Sequence, residues 1–167
     1  SEHPKCMTVI DEGQTIIERQ LNILVQSGIS DIVITTGPFE KTLIDHCNSL
    51  GLPVKYNFIK NPIYDQTNYI YSIYLARSYL KDDIVLMHGD LVFDESMVRD
   101  MLGENKSSMT ISTTIPLPEK DFKAVVENDK ISMIGVDYFD KAVAAQPLYK
   151  LNREDWLIWL EQIKLFC

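Results

Sequence analysis

Asp83-Ile84-Val85-Leu86-Met87-His88-Gly89-Asp90-Leu91-Val92-Phe93-Asp94 reads as a short apolar run that ends in Gly-Asp. Ile84 to Met87 are apolar in succession, which fits a strand buried on both faces of a parallel sheet. Gly89 stops the run and lets the backbone turn or approach a ligand closely. Asp90 then stands at the carboxyl end of the strand, where open α/β sheets place their ligand sites. Its carboxylate has two readings. It is a turn residue, or it holds a hard cation such as Mg2+, which takes one or two carboxylates and completes its shell with water and phosphate oxygens. Asp94 reads as the cap of a helix that begins at Glu95, with a second carboxylate for the same cation as its other reading.

The segments before this strand alternate in type. Thr15-Ile16-Ile17-Glu18 has the form of a capping box. Ile17, Leu21, Leu24 and Val25 then recur at helical spacing until Ser27-Gly28. Ile32 to Thr36 is β-branched throughout, a buried strand. A helix over 40–50 stops at Gly51, and 54–59 is the next strand. Asn61-Pro62 opens a loop, and a Tyr-rich helix runs over 68–80. Helix, strand, helix, strand is the order of a parallel sheet covered by helices. After the Gly-Asp strand come a helix over 95–102, a half-buried strand over 109–115, and a hairpin of 122–127 with 130–135 about Asn128-Asp129. Residues 146–150 read as a short strand or connector. Asn152 caps a last helix whose apolar stripe is Trp156, Trp159, Leu160, Ile163 and Phe166.

Composition narrows the function classes. The chain has 167 residues, 46% hydrophobic and 24% charged, enough for one domain with a core. A formal net charge of −8 argues against a nucleic-acid surface built on a basic patch. Binding of a phosphate-rich ligand must then be local, through a few lysines, helix N-termini and a metal. Cys6, Cys47 and Cys167 show no metal-ligand spacing and read as reduced thiols of a cytoplasmic protein. No apolar run approaches the ~20 residues that span a bilayer.

Several stretches resemble one family. Pro4-Lys5-Cys6-Met7 through Glu18-Arg19-Gln20-Leu21 is similar to the segment after the phosphate loop of sugar-phosphate nucleotidyltransferases. Asn61-Pro62-x-Tyr64-x-x-Thr67-Asn68-x-x-Tyr71-Ser72-x-Tyr74-Leu75-Ala76 resembles the choline-phosphate cytidylyltransferase branch. His88 to Asp94 matches that branch's Gly-Asp strand end. Asp121-Phe122-Lys123-Ala124, the following hairpin and Pro147 to Leu151 resemble members that act on 2-aminoethylphosphonate and similar small phospho-acids. The resemblance implies a Rossmann-like, three-layer α/β/α fold with a mostly parallel sheet, nucleotide-diphospho-sugar transferase-like. It also implies that 1–167 is a single nucleotidyltransferase domain lacking its N-terminal phosphate-loop strand and its C-terminal end, where the family carries a second metal-binding acid. The neighbours of that absent central strand would expose unpaired backbone groups.

The activity so implied is attack of a phosphate or phosphonate oxygen on the α-phosphorus of CTP, or of another nucleoside triphosphate, with release of pyrophosphate. The acceptor would be of the phosphocholine or 2-aminoethylphosphonate type. The resemblance assigns Asp90 to Mg2+, and Lys5 and Lys123 to charge on the triphosphate and on the transferred or incoming phosphoryl group. It assigns Asn61, Thr67, Asn68, Ser72 and Gly89 to the nucleotide, where amide and hydroxyl groups at a helix N-terminus suit a pyrimidine edge. Each has a plainer reading: solvated lysines for Lys5 and Lys123, helix capping for Thr67 or Asn68. An aromatic enclosure suits a cationic amine, and Tyr138 and Tyr149 are the candidates near the acceptor, with a core position as the plainer reading of each. A sugar-1-phosphate nucleotidyltransferase and a non-catalytic nucleotide-binding domain remain the alternatives. Nucleic acid and membrane are not expected as partners, and self-association is left open.

Overall fold

In a computed structural model that describes residues 3–112, 123–127, 130–135 and 142–167, helix α1 (Ile16–Gln26) starts at Thr15, whose hydroxyl accepts a hydrogen bond from the Glu18 amide at 3.2 Å. It ends at Ser27, and Gly28 follows at φ 86°, a left-handed cap that costs glycine nothing. β1 (Asp31–Thr36), α2 (Glu40–Ser49) and β2 (Lys55–Lys60) come next. β1 and β2 pair in parallel from Asp31–Lys55 to Thr36–Lys60, with α2 as the crossover. The helix expected over 68–80 is α3 (Tyr69–Ala76) followed by a 3-10 turn, Arg77–Tyr79. β3 (Ile84–Met87) is the apolar run itself, and α4 (Glu95–Gly103) follows it.

The remaining elements are β4 (Ser108–Ser112), β5 (Lys123–Glu127), β6 (Lys130–Gly135), β7 (Ala142–Leu151) and α5 (Arg153–Phe166). β5 and β6 form the expected antiparallel hairpin; its turn, Asn128-Asp129, lies outside the described residues. β7 is longer than the short segment expected over 146–150. It pairs antiparallel with β3, β4 and β5 and is the hub of a five-stranded sheet. Its Ala-Ala and Pro147 hide this, since alanine and proline are poor strand formers. The β4 pairing absorbs the proline: Met109 opposes Tyr149 and Ile111 opposes Ala145, so the register shifts across Pro147.

β3 shows why the layers form. Val85 and Met87 pack with Ile23 and Leu24 of α1 and with Val98 and Met101 of α4. Ile84 and Leu86 pack with Ile73 of α3 and with Trp156 and Ile163 of α5. Alternate side chains thus enter opposite cores, as a doubly covered strand requires. α1 also sets Ile17 and Leu21 against Leu43 and Cys47 of α2, over Ile32 and Ile34 of β1. Trp156 is wholly buried and its indole N–H donates to the Leu80 carbonyl at 2.7 Å. Phe166, expected in the same stripe, is 80% exposed at the end of α5.

β1 and β3 belong to separate sheets. A cavity of about 610 Å3 lies between them, with residues 31–35 of β1 and Ile84–Met87 of β3 along it and Ile17, Leu24, Ile73 and Ala76 on its walls. Among the described residues no helix is long and apolar enough to cross a membrane.

Candidate functional site

The chain turns sharply where β3 ends. The Leu91 amide donates to the His88 carbonyl at 3.2 Å, which makes a β-turn with Gly89 and Asp90 at its exposed tip. Gly89 is not one of the left-handed glycines. What it supplies is room: a Cβ there would stand 3.3 Å from the Cβ of Cys6. The N-terminal 3-10 turn, Lys5–Met7, therefore seats on the tip, and the exposed Lys5 stands next to the residue that touches it. Burial pushes the Cys6 thiol up to about 11; a backbone hydrogen bond opposes this and the Asp90 charge adds to it. At neutral pH the thiol keeps its proton and is no nucleophile.

A second element reaches the same turn. The Tyr69 ring meets the His88 ring edge-on, with centroids 4.8 Å apart. This carries the start of α3 to the Gly-Asp tip. Asn68 is the cap of α3, its Oδ1 accepting from the Ile70 amide at 3.0 Å. Asn61, directly after β2, is 2% exposed. Its Nδ2 donates to Thr67 Oγ1 at 2.9 Å and to Ser72 Oγ at 3.2 Å, and its Oδ1 accepts from the Ile63 amide at 3.0 Å. Thr67 Oγ1 in turn donates to the Ile63 carbonyl at 2.9 Å. Asn61, Thr67 and Ser72 thus bind one another and fix the loop from β2 to α3. Of the four residues expected to meet the base, Asn68 is the one that is exposed and presents an amide at a helix N-terminus.

α1 supports the turn from beneath. Gln20 is 3% exposed and its Nε2 donates to the carbonyls of His88 at 3.0 Å and Leu91 at 2.7 Å. Arg19 Nη2 donates to the Phe93 carbonyl at 3.1 Å. Reading the sequence missed Gln20, because a glutamine on an amphipathic helix passes for a solvated one. The available signal was its phase: it lies three residues after Ile17 and four before Leu24, on the buried face.

The other expected residues divide. Lys123 opens β5, with Gly135 and Ala144 as its pairing partners; its side chain lies outside the described residues, as does all of Tyr138. Tyr149, with a core position and an acceptor contact as its two readings, lies in the core. It is 4% exposed, between β3 and β4 in the sheet, with its ring edge-on to Trp159 of α5 at 6.1 Å. Alternation along β7 turns it into the α5 core rather than toward the Gly-Asp tip. Asp94 occupies the N-cap position of α4 but its side chain makes no cap hydrogen bond; it leans instead toward Arg19 at 3.9 Å. Among the described residues no group of three or more His, Cys, Asp or Glu is placed to hold a metal ion. Asp90 is exposed, and a hard cation that takes most of its ligands from water and anionic oxygens could use its single carboxylate.

Comparison with known proteins gives a consistent result. Residues 1–126 match the model of the MobA-like NTP transferase domain. The chain is 26% identical over 140 residues to the CMP-5'-(3-aminopropyl)phosphonate synthase of Streptomyces rubellomurinus, a match covering 84% of this chain and 22% of that protein. It is 24% identical over 107 residues to the CTP:phosphoglutamine cytidylyltransferase of Campylobacter jejuni, covering 60% of this chain and 41% of that one. The chain therefore spans less than half the length of either curated relative. The solved inositol-1-phosphate CTP transferase of T. maritima matches with a TM-score of 0.74 at 21% identity, over 92% of this chain and 63% of that one. The fold is thus a nucleotide-diphospho-sugar transferase-like α/β fold.

Proposed function

This chain belongs to the MobA-like NTP transferase family, and we propose on that premise that it serves as the nucleotidyltransferase domain of a cytidylyltransferase. The substrates are CTP and a small acceptor that carries a phosphate or phosphonate. An acceptor oxygen attacks the α-phosphorus of CTP, the α–β anhydride bond breaks, and pyrophosphate leaves with the bonding electron pair. Both reactants are anions, so the protein's work is to align them and neutralise charge.

One observation carries the reading: three separate parts of the chain converge on the Gly89–Asp90 tip. They are the Lys5–Met7 turn through Cys6, the capped start of α3 through Tyr69, and β3 itself. Lys5 would supply a positive charge to the triphosphate. Asn68 would offer its amide to the base, in a loop that Asn61 holds. Mg2+ bound at Asp90 would supply charge neutralisation at the phosphate oxygens. The choice of CTP rests on what the two curated relatives are named for.

The test is pyrophosphate release by the intact protein with CTP, UTP or ATP, Mg2+ and a panel of acceptors: phosphocholine, 2-aminoethylphosphonate and a sugar 1-phosphate. Release with CTP and one of the first two, abolished by Asp90→Ala with the fold retained, is the expected result. UTP with the sugar phosphate would replace the reading by a sugar-1-phosphate nucleotidyltransferase. Nucleotide binding without release for any pair would leave a non-catalytic domain.

A further inference from the structure

We infer that Gln20 is a positioning residue for Asp90: one buried side-chain amide clamps both ends of the turn that presents the carboxylate. On α1 the buried face is otherwise apolar, made of Ile16, Ile17, Leu21, Ile23 and Leu24. An amide in such surroundings is costly unless both N–H groups find acceptors. They do, on carbonyls 68 and 71 residues further along the chain. The two carbonyls are not arbitrary. His88 and Leu91 are the first and last residues of the β-turn, already joined by the Leu91 amide to the His88 carbonyl.

The amide nitrogen therefore bridges the base of the turn, while Gly89 and Asp90 project from the opposite side into solvent. No side-chain hydrogen bond to the Asp90 carboxylate is among those of the described residues. The direction of its Cα–Cβ bond is set by the backbone of the turn, which Gln20 bridges from the buried side. The chemistry singles out glutamine. Two hydrogens on one neutral atom satisfy two carbonyls; a hydroxyl has one, a carboxylate none, and an apolar residue none. Asparagine lacks the length of one methylene. Arg19, beside it, ties down Phe93 further along the same loop, so α1 holds the segment at three carbonyls.

This assignment rests on the metal-binding reading of Asp90, and the experiment separates the two. Gln20→Met keeps the length and apolar bulk of the side chain and removes both donors. Mn2+ serves as the probe, its binding to the intact protein with CTP followed by electron paramagnetic resonance, alongside amide hydrogen exchange at Gly89, Asp90 and Leu91. Gln20→Met should weaken Mn2+ binding on the order of tenfold or more, as loss of a supporting contact does at metal sites. It should also speed exchange at the Leu91 amide. Ile17→Val, in the same helix but packed toward α2, should do neither. If Gln20→Met folds poorly, Gln20→Leu gives the same two readouts. Mn2+ affinity and Leu91 exchange equal to wild type in either variant would overturn the inference alone. Mn2+ binding by the wild type that Asp90→Ala leaves intact would overturn the metal reading, and this inference with it.

Discussion

Replacing Gly89 by alanine tests how the N-terminal turn is held to the Gly-Asp tip. The backbone of Gly89 is not in the left-handed region, so alanine meets no conformational strain there. Taken alone, a compatible Gly→Ala change stabilises by about 0.5 kcal/mol through the unfolded chain. The new Cβ, however, would stand 3.3 Å from Cys6 Cβ, closer than side chains normally pack. Forcing the two apart by a few tenths of an ångström costs about 1–2 kcal/mol, toward the low end for overpacking because the Lys5–Met7 turn lies at the surface. The net is a loss of about 1 kcal/mol. Cys6→Ala leaves the clash in place, since the contact is with Cβ; Cys6→Gly removes it. Urea unfolding of the four members of the Gly89→Ala, Cys6→Gly cycle reads the coupling directly. Gly89→Ala should destabilise the wild type by about 1 kcal/mol and should be neutral or slightly stabilising beside Cys6→Gly, a coupling of about 1.5 kcal/mol. An equal cost in both backgrounds would mean that the turn does not seat on Gly89, and the juxtaposition of Lys5 with Asp90 would lose its basis.

Two further outcomes follow from buried polar groups. Asn61→Ala removes a side chain that serves Thr67, Ser72 and the Ile63 amide at once. It should lower stability by about 2 kcal/mol and raise proteolysis between Asn61 and Asn68; unchanged cleavage and midpoint would show that the loop holds itself. Cys6 and Cys47 are both pushed from an ordinary 9.0 up to about 11, chiefly by burial. Above pH 9 the unfolded chain releases thiol protons that the folded chain keeps, so stability should fall as pH rises from about 9 to 11. A urea midpoint that declines equally over that range after Cys6→Ala and Cys47→Ala would assign the decline to other groups.

The elements were legible where local pattern and tertiary demand agree. The capping box at Thr15, the β-branched run of β1 and the apolar run of β3 each specify one structure from neighbouring residues alone. Where the fold departs from the reading, a distant contact decided the outcome. β7 reads weakly because its alanines and Pro147 lack strand propensity, yet it lies at the sheet's centre because β3, β4 and β5 all need its edges. Asp94 stands at the N-cap position as its sequence suggests, but its side chain makes no cap hydrogen bond and lies 3.9 Å from Arg19, 75 positions away. The site follows the same rule. Asp90 was visible at a strand's carboxyl end, which is a local and topological signal. That Gly89 is required by Cys6, that His88 is met by Tyr69, and that the turn is bridged by Gln20 were not visible. Each of these contacts joins residues far apart in the chain, and each lands within the four residues 88–91. A carboxylate on a free loop tip would lose its orientation to solvent motion. Here a covered strand, a surface turn, a capped helix and a buried amide all contact residues 88–91, and the proposed role of Asp90 needs a carboxylate presented by a backbone held in this way.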